Sequence, residues 1–172
     1  MKVTRELFES TGIDYQSTKA IQWFNKECKK MSFGEAHASQ TINEFVSPGK
    51  ITSGDMLLLQ YSAKYADTLP YWDIYPIMIL LSMDNKHFWG LNLHYLTSQQ
   101  RQKVMIVLYA QKMGYGLKSF KPKWQMMKSA IGVNLAKKCI KQYIIGNIEK
   151  LSIISKDSWS YVAFMPLAKW KY

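Results

Sequence analysis

At 172 residues the chain is the size of one ordinary domain, and a composition that is 48% hydrophobic and 14% aromatic supplies enough apolar surface for a core, which excludes general disorder. Lys and Arg outnumber Asp and Glu 23 to 12, a formal charge of +11, but residues 1–100 hold nine basic and ten acidic residues while residues 101–172 hold fourteen and two. From Arg101 to Ile148 there are ten Lys or Arg and no acid at all, so local ion pairs cannot neutralise this stretch and a polyanion is the expected partner, nucleic acid ahead of an anionic membrane or an acidic protein face.

In chain order, Ile21, Phe24, Cys28 and Met31 fall at helical spacing and predict an amphipathic helix over roughly 14–31, begun near Asp14, whose apolar face must dock on something. Phe33 to Lys50 is polar and rich in Gly, Ser and Pro, and reads as an extended linker. Residues 1–48 are therefore expected to form an arm and linker, and residues 49–172 the main domain. Asp55 to Tyr61, Pro76 to Met83 and His87 to Leu93 predict strands, the last two joined into a hairpin by Asp84-Asn-Lys86. Gly90 inside the hairpin predicts a bend or a close backbone approach.

Thr97 or Ser98 is placed to cap a helix running to about Met113, stopped by Gly114-Tyr-Gly116. Helices are predicted near 122–131 and 134–145; the second would bury Ala136, Cys139, Ile140 and Tyr143 and present Lys137, Lys138 and Lys141 outward. Strand-like runs over 150–154 and 159–164 close the chain. Five short strands, three before and two after a helical insertion at about 98–146, predict an α+β fold: a small, partly open SH3-like or OB-like β-barrel with a basic helical insert and an N-terminal helical arm.

Two cysteines, Cys28 and Cys139, without Cys-x-x-Cys spacing, predict a reducing site of synthesis rather than a disulfide framework. No signal-peptide core follows Met1, and the longest apolar run, Ile74 to Met83, contains Pro76 and is about half of a bilayer span, so no membrane role is expected.

Leu69-Pro-Tyr-Trp-Asp-Ile-Tyr-Pro76, followed by Phe88-Trp-Gly-Leu-Asn-Leu-His-Tyr-Leu96, resembles a family of tailed-phage virion proteins with the patterns L-P-Y-[YW]-D-x-[FY]-P and G-[LIM]-N-[LF]-H-Y-L. Lys137-Lys-Cys-Ile-Lys-Gln-Tyr143 and the run from Trp159 to Phe164-Met-Pro166 are similar to the family's later motifs, so the resemblance spans roughly residues 49–167. Where many relatives carry Pro-Pro after the His-Tyr-Leu motif, this chain has Thr97-Ser98. The family is that of T-even-like DNA end protectors. The resemblance implies a virion component on the end of the packaged genome, made in the host cytoplasm and assembled with other head, portal, neck or tail proteins.

Chemistry is sparsely signalled. His37, His87 and His94 are scattered, no metal-ligand spacing or nucleotide-binding loop occurs, and no catalytic residue, cofactor or metal is expected. Asp14 with Glu27 and Lys29 only loosely fits a metal-dependent nuclease, because Glu27 and Lys29 fall on a predicted helix. His94 is expected as a hydrogen-bonded structural residue and Asp73 as a carboxylate holding the loop before Pro76; Tyr71, Trp72, Tyr75, Phe88 and Trp89 are expected in the core. The candidate contacts to the phosphate backbone of double-stranded DNA are Arg101, Lys103, Lys112, Lys118, Lys121, Lys123, Lys128, Lys137, Lys138 and Lys141, with Trp124 as a stacking candidate. The competing expectation is a structural tail, neck or baseplate component whose basic face docks on an acidic protein surface.

Overall fold

The computed structural model describes residues 13–33, 51–64, 73–114 and 124–165, with side chains described over 18–31, 51–64, 73–108 and 128–165. The expected linker from residue 34 on, Tyr71, Trp72 and the stretch 115–123 lie outside the described residues, while Phe33 ends the first helix.

Five strands form one antiparallel sheet: β1 (Met56–Tyr61), β2 (Ile77–Met83), β3 (His87–Asn92), β4 (Ile140–Ile144) and β5 (Ile148–Ile153), in the order β4-β3-β2-β1-β5. The expected hairpin is β2 with β3, and its turn is closed by the Asp84 carboxylate, which accepts the backbone N–H groups of Lys86 and His87 at 2.7 Å each. Those backbone bonds, the Lys86 bond foremost, hold Asp84 below the usual carboxylate range.

The outermost strands β4 and β5 are joined only by Ile145–Asn147, a single 3-10 turn. Across a flat sheet these edges would stand roughly 19 Å apart, whereas one such turn covers roughly 8 Å. The sheet must therefore curl. Tyr61 of β1 reaches across the hollow to β4: its hydroxyl accepts the Ile144 N–H at 3.3 Å and its ring meets that of Tyr143 edge-on at 5.2 Å. No ladder joins β4 to β5, so the five-stranded α+β reading stands with an open, curled sheet.

Curling gives the sheet two cores. On the outer face Met56, Leu58, Ile77, Ile79 and Leu91 pack beneath helices; in the hollow Leu57, Leu59, Met78, Leu80, Phe88, Tyr143 and Leu151 pack with Ile51. Met56 through Leu59 are buried on alternating sides, which is why this strand is a continuous apolar run rather than an alternation.

The helices are α1 (Ile13–Phe33), α2 (Ser98–Gly114), α3 (Trp124–Ile131), α4 (Val133–Cys139) and α5 (Trp159–Ala163). The expected docking of α1 is onto α5, where Trp23 stacks on Tyr161 with centroids 5.8 Å apart, and the Lys150 ammonium of β5 donates to the Met31 carbonyl near the helix end. The start of α2 is a reciprocal capping box: Thr97 Oγ1 accepts the Gln100 N–H at 3.3 Å and Gln100 Oε1 accepts the Thr97 N–H at 2.9 Å. Thr97→Ala should therefore cost about 1 kcal/mol, read as a lowered urea midpoint with an unchanged m-value.

Three expectations are corrected. The helix expected over 134–145 ends at Cys139, and Ile140–Ile144 is β4. The free edge of β3 offers these residues a ladder from Leu91↔Ile140 to His87↔Ile144, so pairing wins over helical periodicity. The run expected as a strand over 159–164 is instead α5, because the chain turns at Lys156–Ser158 and buries Val162, Ala163 and Phe164 among the helices. Trp89, expected in the core, is 41% exposed.

Candidate nucleic-acid interface

Helices α2, α3 and α4 pack in succession and lead directly into β4. Gly132, at φ 85°, breaks the chain between α3 and α4, a backbone conformation that a side chain would strain. Lys137 and Lys138 sit in the last turn of α4, where cations complement the helix dipole, and both are exposed; Lys103 is exposed on α2. Among the described residues none of these three lysines pairs with a carboxylate. Lys128, in the last turn of α3, is half-buried.

Lys141 is placed differently from its expected helical neighbours. It lies on β4, and its ammonium stands 4.7 Å from the centroid of the Tyr95 ring. Burial pulls its pKa below the usual lysine value, with the Cys139 thiol opposing. Lys112 lies on α2, but its side chain falls outside the described residues, as do those of Lys118, Lys121, Lys123 and Trp124.

Arg101 is a correction. It is fully buried, and its guanidinium donates to three backbone carbonyls: Leu93 through Nε at 2.7 Å, Val162 through Nη1 at 3.4 Å, and Met165 through Nη1. One side chain thus ties the end of β3 and the chain after α5 to the first turn of α2. Its planar fork suits several acceptors at once, and no part of it is left to meet DNA.

Asp73 and His94, each without a visible partner in the sequence, are partners of one another. The Asp73 carboxylate faces His94 Nδ1, and its other oxygen accepts the Tyr75 N–H at 3.1 Å, holding the loop before Pro76 as expected. The backbone of His94 is held by Asn92, which in turn donates to the Tyr143 hydroxyl at 3.0 Å, and Phe24 of α1 packs edge-on against the imidazole. The network joins α1, the pre-β2 loop, β3 and β4, a structural task. Only their separation in sequence, twenty-one positions by the numbering, hid the pair.

Among the described residues no group of three His, Cys, Asp or Glu side chains is arranged to hold a metal ion, and no helix is long and apolar enough to cross a membrane. Glu27 pairs with Lys30 at 2.8 Å along α1. Burial, followed by the Asp73 and Glu27 charges, pushes the Cys28 thiol up to about 12, and burial pushes Cys139 up to about 11. Both values lie above the ordinary 9.0, so the unfolded chain releases these protons first and their contribution to stability is lost as pH rises from about 9 through the folded values. Urea unfolding at pH 8 and pH 10 should show this loss, and a Cys28→Ala/Cys139→Ala variant should show a shallower one; equal slopes in the two proteins would mean that other groups carry it.

A family model described as phage T4 terminal DNA protecting protein matches residues 4–172. Comparison with curated proteins and with solved structures gave no match. The matched span takes in every described strand and helix, so the chain belongs to the phage T4 terminal DNA protecting protein family.

Proposed function

We propose that this protein is a non-enzymatic virion component that binds the ends of packaged double-stranded DNA near the portal, through phosphates and without reading sequence. The observation that carries this reading is the acid-free stretch 101–148, folded so that Lys103, Lys137 and Lys138 are exposed and, among the described residues, without carboxylate partners. Each phosphate neutralised by such a cation releases condensed counterion whatever the base sequence. Lys112, Lys118, Lys121, Lys123, Lys128 and Lys141 are further proposed phosphate contacts, and Trp124 a proposed stacking residue. Arg101 serves the fold instead. Other head, portal, neck or tail proteins are the proposed neighbours. An SH3-like reading of the curled sheet also belongs here. It is supported by a four-strand meander whose fifth strand returns beside the first through one 3-10 turn, in contrast to the Greek-key order of an OB-fold.

Purified protein should bind linear duplex at about 50 mM salt, with log K falling by roughly 0.9 per contacted phosphate for each decade of salt. A Lys137→Gln/Lys138→Gln variant should keep its fold and lose up to about 1.8 from that slope, equally on all sequences. With Mg²⁺ or Mn²⁺ the protein should leave linear DNA intact and slow an added exonuclease. A folded variant that binds DNA as before yet fails to enter particles would instead make the basic face a protein-docking surface.

A further inference from the structure

We infer that Trp89 is the platform on which the terminal base pair of a DNA duplex stacks, so that the protein distinguishes an end from duplex interior by shape rather than by sequence. The inference rests on the DNA-end reading above and deepens it. Three of the chain's six tryptophans have described side chains. Trp23 is stacked on Tyr161 and Trp159 packs against the outer core, but Trp89 is 41% exposed, and among the described residues no aromatic ring lies against it.

Its position explains the exposure. Leu91, two residues on and therefore on the same face of β3, is fully buried beneath the helices, while Trp89 stands beyond their cover. β3 is an interior strand, so the backbone under the indole is held by ladders on both sides: Ser82 of β2 and Gln142 of β4 lie opposite it. Both of these neighbours are polar and exposed, leaving the indole as the apolar feature between them. A large flat side chain is thus presented on a backbone held from both sides.

The surroundings favour a polyanion as the occupant. Gln142 follows α4 by three residues, which places Lys138 roughly 13 Å back along the chain. Lys86 lies exposed in the hairpin turn two residues before Trp89's neighbour Phe88, whereas Lys141, opposite Gly90 in the ladder, leaves β4 on the other face. The one carboxylate of that turn, Asp84, is occupied by backbone amides and by the His87 side chain. Inside a duplex every base pair is stacked on both faces, and a protein indole has nothing to add. At a terminus one π-face is free, and because every base offers such a face, stacking there carries no sequence preference. The indole would cover that face while Lys86 and Lys138 meet the flanking phosphates.

The test compares a blunt linear duplex with the same sequence closed by hairpin loops at both ends. Wild-type protein should prefer the blunt duplex. Trp89→Ala should lose that preference, binding the blunt duplex about tenfold more weakly and the looped one as before, while Trp89→Phe keeps most of it; thermal unfolding of each variant confirms that the fold is intact. If wild-type protein binds neither DNA, the DNA-end reading and this inference fall together. If it binds both DNAs equally, or if Trp89→Ala keeps the preference, the phosphate reading stands and the Trp89 assignment is wrong. A Trp89→Ala protein that handles both DNAs normally but is excluded from particles would assign the indole to a neighbouring protein.

Discussion

Arg101→Met should destabilise the protein by about 3–5 kcal/mol, because charge-assisted hydrogen bonds are each worth about 1.5–3 kcal/mol and the carbonyls left behind are buried. Leu93, Val162 and Met165 would each lose a donor that no water replaces, at the seam between the end of β3, the first turn of α2 and the chain after α5. Methionine preserves most of the volume, so the loss reports hydrogen bonding rather than a cavity. Arg101→Lys should recover little, since one ammonium cannot reproduce the guanidinium fork. Urea unfolding measures the effect. A variant as stable as the wild type but weaker on DNA would return Arg101 to the binding surface.

Gly90→Val is expected to cost about 3 kcal/mol or more, at the upper end of what overpacking a core does. Strand propensity alone predicts the opposite sign, since valine suits a strand and glycine does not. Packing decides it. A Cβ at position 90 would stand 2.3 Å from Met78 Sδ and 3.1 Å from Met78 Cβ, and Met78 is wholly enclosed in the hollow of the sheet. Shortening that side chain should restore room, so Gly90→Val/Met78→Ala should be more stable than the sum of the single changes by about 1 kcal/mol or more. Strict additivity would mean that the two side chains do not compete for the same space.

Local chemistry made much of this legible. The three apolar runs before residue 97 became β1, β2 and β3, Asp84 closed the hairpin, and Thr97 began α2, because strands, tight turns and caps are decided by residues within a few positions of one another. The charge asymmetry was equally plain, and so was the family. The basic candidates divide on a different principle. Lys137 and Lys138 face solvent, Arg101 is buried, and Lys141 sits over a tyrosine, yet nothing adjacent in the chain separates them.

The amino-acid sequence alone determined the α+β class, the early strands, the first helix and the concentration of positive charge after residue 100, all of which depend on composition or short-range periodicity. Tertiary structure decided the rest. Ile140–Ile144 became a strand because β3 had a free edge, and Trp159–Ala163 a helix because α1 and α2 offered it a surface. Asp73 found His94, Arg101 found its carbonyls, and Trp89 was left exposed where the helices stop. Burial is a property of what the whole chain stacks over a residue, and a short window of sequence contains the residue but not its cover.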